Sequence, residues 1–242
     1  MIYFISIFKI ERKHAMNTKR IFCIVLAVVL ALSCFALAGC QTKSEVKGIN
    51  TSKAESSKAD DSQTSSSSGS YKNPYTGSSD TAEIDVKDYG KITVKLDKNA
   101  APITVENFLN LVNEGFYDGL TFHRIIKNFM IQGGDPLGNG TGGSDINIKG
   151  EFSANGVENN LEHKRGVISM ARSSAYDSAS SQFFIVHEDS PHLNGQYAAF
   201  GEVTDGMDVV DKIAESVKVE DTNGTVLAEN QPVINSIKII EK

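Results

Sequence analysis

The sequence predicts a mainly β domain with two α-helices, and three observations lead to this prediction. Short segments in which apolar and polar residues alternate recur from about residue 81 to the C-terminus. Two other segments have apolar residues at helical spacing, and glycine-rich stretches separate the elements. Alternation with period two is typical of half-buried strands, whereas spacing of three and four residues is typical of amphipathic helices.

The domain begins with a predicted hairpin and continues with a helix. Residues 82–86 and 91–96 alternate in polarity and bracket Asp88-Tyr89-Gly90, a turn sequence. Pro102 is suited to the first turn of a helix, and Gly115 is a typical stop signal. We therefore expect a helix from Pro102 to about Glu114 with one apolar face, formed by Val105, Phe108, Leu109 and Val112.

The second half of the domain is predicted to contain six further strands, one further helix and a long loop. Residues 133–150 are rich in glycine and indicate the loop. The helix is expected over about Met207 to Glu215. The expected strands are 121–126, 129–132, 166–170, 182–186, 198–203 and 233–240.

The first 40 residues form a targeting signal in this interpretation. Lys19-Arg20 precede an apolar run over residues 21–38, and Leu37-Ala38-Gly39-Cys40 follows, which resembles a bacterial lipobox. We predict a signal peptide over 1–39, with translation starting at Met16, and a lipid on Cys40. The alternative is an uncleaved transmembrane helix, since 18 apolar residues almost span a bilayer. Both alternatives place the domain outside the cytoplasmic membrane.

Residues 40–80 are predicted to be a disordered, serine-rich tether, because they contain few large apolar residues that could repay the entropy of ordering. Residues 1–39 carry five basic residues and one acidic residue, so the remaining chain is more acidic than the formal net charge of −6. An acidic domain argues against nucleic acid as a partner. All three cysteines lie within the first 40 residues, which excludes thiol chemistry and disulfides from the domain.

Two segments carry the polar groups of a candidate site. They are residues 122–135, FHRIIKNFMIQGGD, and residues 181–186, SQFFIV. Alternation brings Arg124 and Gln132 onto faces that large apolar side chains also reach. A guanidinium and an amide beside apolar rings suit an uncharged peptide group. From the residues alone, Arg124 could equally form a structural ion pair, and the aromatic stripe is more often core.

Four motifs together resemble the cyclophilin-type peptidyl-prolyl cis-trans isomerases. The two segments above are joined by NGTGG at residues 139–143 and HLNGQYAAFGEV at residues 192–203, and the resemblance covers residues 81–242. It implies a closed eight-stranded antiparallel barrel capped by two α-helices. Residues 138–143 also fit G-x-G-x-x-G, but no helix follows them, so this is not a dinucleotide site.

The resemblance also implies which residues form the site. Arg124 and Gln132 would be catalytic, and His123 would be structural. The other residues expected to bind the substrate are Phe129, Met130, Gly140, Ala171, Arg172, Ser173, Gln182, Phe184, His192, Leu193 and Tyr197. Arg172, His192 and Tyr197 replace an asparagine, a tryptophan and a histidine of many family members. Phe122 and Phe183 are expected in the core.

The function implied is cis–trans isomerisation of X–Pro bonds in extracytoplasmic proteins, which would assist their folding. The alternative is a non-catalytic cyclophilin-like module that binds peptides or acts as a chaperone at the cell surface. A solute-binding lipoprotein would share the targeting signal, but the domain is short for two lobes. We expect a monomer with proline-containing polypeptides as partners. We expect no cofactor and no metal, since the histidines have no metal-binding spacing.

Overall fold

The computed structural model describes residues 71–240. The elements follow the predicted order closely. The strands are β1 (Thr81–Val86), β2 (Gly90–Leu96), β3 (Phe122–Ile126), β4 (Met130–Gly133), β5 (Val167–Met170), β6 (Phe183–Val186), β7 (Ala199–Asp205) and β8 (Ile234–Ile239). The helices are α1 (Pro102–Asn113) and α2 (Met207–Ser216).

The eight strands form one antiparallel sheet in the order β3-β4-β6-β5-β7-β2-β1-β8, an open half-barrel. The expectation of a closed barrel is therefore wrong, because the edge strands β3 and β8 are not neighbours in the sheet. The outer edge of β3 bonds instead to the segment 224–226: Ile125 N–H donates to the Gly224 carbonyl at 2.8 Å, and Val226 N–H donates to the His123 carbonyl at 3.1 Å. Thr121 and Val233, just before the two edge strands, form an isolated bridge.

The core lies inside the curve of the sheet, where alternate strand residues are fully buried. Ile84 and Ile92 face each other across the β1–β2 pair, and both are 0% exposed. Phe108 of α1 packs against the rings of Tyr117, Phe183 and Phe200 at centroid distances of 5.3 to 5.8 Å. Helix α1 contacts β7 and β8, and α2 contacts β2, β3 and β4. Phe122 and Phe183 are in this core, as expected.

Helix α1 receives its N-terminal cap from a distant residue. Its N-cap position is Ala101, which has no side-chain acceptor. The buried Glu151 carboxylate accepts hydrogen bonds from the N–H groups of Ile103 and Thr104, at 3.0 and 2.7 Å. It also accepts one from the Thr104 hydroxyl at 2.7 Å. A carboxylate at this position also interacts favourably with the helix dipole.

The last residues of the predicted tether contact the domain. The Tyr75 N–H donates to Asn110 Oδ1 of α1 at 2.7 Å, and the Tyr71 hydroxyl also hydrogen-bonds α1, at Asn107 Oδ1. Ser79 Oγ donates to the Ile240 carbonyl at 2.6 Å. Residues 71–80 are therefore held against the domain by several hydrogen bonds.

The predicted signal peptide, Cys40 and most of the predicted tether lie outside the described residues. Within residues 71–240, neither helix has the length and apolarity needed to cross a membrane.

Candidate active site

A cavity of about 610 Å³ opens beside strands β3, β4 and β6. Ten of the thirteen predicted site residues line it, so the structure brings together positions that are up to 73 residues apart. These ten are Arg124, Phe129, Met130, Gln132, Gly140, Ala171, Arg172, Phe184, Leu193 and Tyr197.

A chain of hydrogen bonds holds Arg124 at the cavity. Arg124 and Gln132 are directly opposite in the β3–β4 pair, and Arg124 Nη1 donates to Gln132 Oε1 at 3.1 Å. Gln132 Nε2 then donates to Gln182 Oε1 at 2.9 Å, and Gln182 Nε2 donates to the Gly142 carbonyl at 2.7 Å. The chain orients both amides, so Gln132 presents its oxygen to the guanidinium.

The other side of the guanidinium is held by a loop that sequence reasoning missed. Arg124 Nε donates to the Asn223 carbonyl at 2.8 Å. Asp221 organises this turn: its Oδ1 accepts from the N–H groups of Asn223 and Thr225 at 2.9 and 3.1 Å. Hydrogen bonds from the N–H and the hydroxyl of Thr225 contribute most to lowering the pKa of Asp221, and the Asn223 N–H adds to this effect. The Asp-x-Asn-Gly-Thr spacing over 221–225 is a turn signal that could have been found.

Arg124 keeps its charge without forming an ion pair among residues 71–240. Burial lowers the pKa of Arg124, and Tyr197 and Asp221 oppose this change. An arginine with this pKa still stays protonated at neutral pH. The structural ion pair that the residues alone left open is not formed within these residues, and the neutral partners leave the charge available to a ligand.

Apolar side chains form the floor of the cavity next to Arg124. Met130, Phe184 and Leu193 are at most 7% exposed and belong to a small hydrophobic cluster of their own, separate from the main core. Phe129 packs partly buried against the same cluster. The expected apolar side chains therefore line one cavity, and those of its floor pack against each other.

The side chain of Arg172 has a role that the sequence interpretation did not include. Its guanidinium lies over the rings of Phe152, Tyr176 and Tyr197, with distances to the ring centroids of 5.1, 5.1 and 4.7 Å. Nε and Nη2 both donate to the Gln196 carbonyl, at 3.1 and 2.9 Å. Arg172 therefore positions the neighbouring Tyr197 as well as lining the cavity.

The glycine-rich loop is held in place by a buried carboxylate. Asp135 is 1% exposed and accepts from the N–H groups of Leu137, Asn139 and Gly140, at 2.8, 3.1 and 2.5 Å. Burial alone would raise the pKa of Asp135, but these backbone donors together outweigh it and hold the pKa below its usual value. Gly140 has φ +88°, so the loop needs glycine there to approach the cavity.

The three remaining predicted residues lie outside this cavity. Ser173 and Gln182 line an adjoining polar cavity of about 310 Å³, which shares Gln132, Gly140, Ala171 and Arg172 with the first. His192 lines neither cavity. Its exposed ring packs on Phe129 with centroids 5.4 Å apart, so it supports the rim.

The structure also adds cavity residues that were not predicted, including Leu137, Asn139, Leu227, Ala228 and Gln231. No group of three or more His, Cys, Asp or Glu residues within 71–240 is arranged to hold a metal ion. Chemically, the site offers a fixed guanidinium and an amide above an apolar floor. Such a site can bind a neutral amide and donate a hydrogen bond to it.

Comparison with known proteins gives a consistent result. Residues 81–241 match the family model described as "Cyclophilin type peptidyl-prolyl cis-trans isomerase/CLD". Peptidyl-prolyl cis-trans isomerase B of Bacillus subtilis is 46% identical over 144 residues, which are 60% of this chain and 92% of the relative. A Helicobacter pylori peptidyl-prolyl cis-trans isomerase is 45% identical over 133 residues, 54% of this chain and 78% of the relative.

A solved structure is similar along the same part of the chain. The cyclophilin type peptidyl-prolyl cis-trans isomerase of Cryptosporidium parvum, crystallised in the presence of the dipeptide Ala-Pro, superimposes with a TM-score of 0.59 at 32% identity. It covers 67% of this chain and 99% of its own. Together with the family match, the fold and the arrangement around Arg124, this shows that the chain belongs to the cyclophilin-type peptidyl-prolyl cis-trans isomerases.

Proposed function

We propose that this chain catalyses cis–trans isomerisation of X–Pro peptide bonds, with Arg124 and Gln132 as the catalytic residues. The observation that carries the proposal is the position of Arg124. Its guanidinium is fixed on two sides, by Gln132 and by the Asn223 carbonyl, beside an apolar floor of the kind that a pyrrolidine ring would contact.

The reaction needs no bond between substrate and protein. Rotation about the X–Pro amide is slow because its resonance must be broken, at a barrier of about 18–20 kcal/mol. As resonance is lost, the lone pair of the prolyl nitrogen becomes able to accept a hydrogen bond. Arg124 would donate that bond, which exists mainly in the twisted state. An interaction confined to the transition state lowers the barrier instead of only tightening binding.

The pocket must also contribute, because one hydrogen bond is not enough. A rate gain of about 10⁵ requires about 7 kcal/mol, whereas a hydrogen bond to a charged group contributes about 1.5–3 kcal/mol. Met130, Phe184 and Leu193 would hold the ring while the carbonyl side turns. Since these side chains are packed before any ligand enters, the site does not need to reorganise at the moment of reaction.

The test is the isomerase activity of the full chain in detergent, measured by exchange NMR on a short Ala-Pro peptide. We expect the cis and trans signals to exchange much faster than the uncatalysed tens to hundreds of seconds. Binding of the peptide without faster exchange would contradict catalysis and would favour the non-catalytic peptide-binding module.

We further propose that the enzyme acts outside the cytoplasmic membrane as a monomer, tethered by a lipid on Cys40, and assists folding of proline-containing proteins there. The support is the LAGC sequence at residues 37–40 followed by a polar, serine-rich segment.

The anchor is tested by Cys40→Ala in the native host. We expect the variant to leave the membrane fraction or to accumulate as unprocessed precursor, with Cys34→Ala as the matched control that keeps normal fractionation. Mass spectrometry of the wild-type protein that finds an intact N-terminus and no lipid on Cys40 would contradict the proposal.

A further inference from the structure

The cavity extends beyond the apolar floor into a second region, which we call the outer lobe. The outer lobe is lined by His123, Leu137, Asn139, Val226, Leu227, Ala228 and Gln231. The whole cavity, at about 610 Å³, lies within the size range of pockets that bury a drug-sized ligand. It is therefore larger than a single pyrrolidine ring requires, and the outer lobe has no role in the mechanism above.

The walls of the outer lobe are joined to each other and to Arg124. Gln231 Nε2 donates to the carbonyls of Gly138 and Val226, at 2.8 and 2.9 Å, and so links the two loops that face each other. Val226 also pairs with the backbone of β3 at His123. Arg124 donates to the carbonyl of Asn223, which lies three residues before Val226 in the chain. The outer lobe is therefore directly next to the guanidinium. It is a preformed continuation of the candidate site.

The outer lobe combines exposed leucines with a buried polar group. Leu137 is 64% exposed and Leu227 is 41% exposed, although both are large apolar side chains. Val226, which also lines the outer lobe, is 3% exposed. Among residues 71–240, no acidic side chain lines the cavity. Such walls suit an apolar side chain, which would cover the leucines and remove their surface from water.

His123 supplies an independent sign of a ligand. It is 4% exposed, and neither ring nitrogen has a hydrogen-bond partner among residues 71–240. Burial lowers the pKa of His123, with Asp135 opposing this change and Arg124 adding to it. A neutral imidazole has one donor and one acceptor, and buried polar atoms of this kind are normally hydrogen-bonded. Because His123 lines the cavity, a bound peptide amide could hydrogen-bond one of its nitrogens.

We propose that the outer lobe is a subsite for an apolar side chain that flanks the X–Pro pair, on the side away from the polar cavity at Ser173. The backbone amide of that flanking residue supplies the hydrogen bond that His123 lacks. This inference rests on the proposed isomerase function, and it makes the enzyme selective for proline sites with an apolar neighbour.

The test compares two pairs of peptides that share an Ala-Pro core. One pair carries leucine or serine directly after the proline, and the other carries leucine or serine two residues before it. For the full chain, we expect kcat/KM to be about tenfold higher for the leucine peptide than for the serine peptide in one pair only. A ratio of this size is in the range that apolar pockets achieve. The double variant Leu137→Ser, Leu227→Ser should bring that ratio close to one.

The control is Ile103→Ser, which removes another exposed aliphatic side chain, 41% exposed on α1 and remote from the cavity lining. It should leave the ratio unchanged. Equal kcat/KM values for leucine and serine in both pairs, or a ratio retained by the double variant, would overturn the inference while leaving the isomerase function intact.

A binding experiment distinguishes a failure of the subsite proposal from a failure of the proposed isomerase function. In NMR titrations, the leucine peptide should shift the ring signals of His123 in the wild type and not in the double variant. If this shift occurs but no peptide is isomerised, the subsite proposal is supported and the isomerase proposal fails. If the His123 signals do not move with a bound peptide, the subsite is wrong.

Discussion

At the scale of single residues, Arg124 shows how a charged group can be kept available in a half-buried position. An arginine beside large apolar residues is costly unless its donors are satisfied. Here the partners are a side-chain amide and a backbone carbonyl, at 3.1 and 2.8 Å. Neutral acceptors satisfy the donors without neutralising the charge. A carboxylate in either place would compete with the substrate for the guanidinium.

Replacement of Arg124 tests this assignment. We expect Arg124→Ala to lower kcat/KM by at least about a hundredfold, or about 2.7 kcal/mol, because the hydrogen bond to the prolyl nitrogen is lost in the transition state. Arg165→Ala, which removes an arginine that pairs with Asp211 away from the cavity lining, is the matched control and should keep its activity. Near-wild-type turnover by a folded Arg124→Ala protein would refute the mechanism.

At the scale of elements, the turn at 221–225 supports the side chain of Arg124. Asp221 holds the N–H groups of Asn223 and Thr225, and also accepts from the Thr225 hydroxyl at 3.0 Å. The Asn223 carbonyl is thereby fixed towards Arg124. The side chains of Asp221, Asn223 and Thr225 are exposed, and the turn also joins β3 through the Gly224 carbonyl, which accepts from the Ile125 N–H at 2.8 Å.

Asp221→Ala should therefore act on turnover. We expect kcat to fall about tenfold, with a smaller change in KM, because Arg124 loses one of its two anchors while the apolar floor is untouched. Asp221→Asn retains an acceptor oxygen and should restore most of kcat. The measurement is a full kinetic comparison of the three proteins. An Asp221→Ala protein with unchanged kcat would show that the turn does not position Arg124.

The N-terminus of α1 is capped by Glu151, which lies 48 residues after Ile103 and 47 residues after Thr104 in the chain. We expect Glu151→Gln to destabilise the domain by about 1–2 kcal/mol, because one carboxylate oxygen becomes a donor that faces N–H groups. Glu106→Gln, on the exposed face of α1, is the control and should have little effect. Chemical denaturation of the three proteins measures the difference; equal midpoints for Glu151→Gln and wild type would contradict the capping role.

At the scale of the whole molecule, buried titratable groups make stability depend on pH. Burial lowers the pKa of both His123 and His163, and in His163 the Asn194 hydrogen bond opposes this only in part. When the pH falls below the usual histidine pKa of about 6.5, the unfolded chain therefore binds protons at these two histidines before the folded chain does. Asp135, whose pKa is also lowered, contributes stability that is present above its unfolded pKa of about 3.9 and lost below it.

We therefore expect the melting temperature to fall in two stages, first between pH 7 and pH 5 and again below about pH 4. Thermal unfolding at a series of pH values measures this profile. Asp135→Asn should weaken the second stage and leave the first. A melting temperature that stays constant from pH 7 to pH 5 would contradict the sign derived for the buried histidines.

The order and type of the elements could be predicted from the sequence because they depend on local patterns. Alternation and helical spacing predicted all eight strands and both helices within two residues at every boundary. The floor of the cavity and Arg124 were found through motifs that match a family. The residues alone could not separate a catalytic arginine from a structural one, since the difference lies in its partners.

Tertiary structure alone decided the features that depend on long-range backbone contacts. The edge of β3 pairs with residues 224–226 and not with β8, which leaves the barrel open. Glu151 caps α1, and the Asn223 carbonyl holds Arg124 across 99 residues. Carbonyl and amide groups occur at almost every position, so a sequence carries no sign of which one a distant side chain will meet. Apolar periodicity therefore determined the elements, and the packing of those elements determined the partners of each polar group.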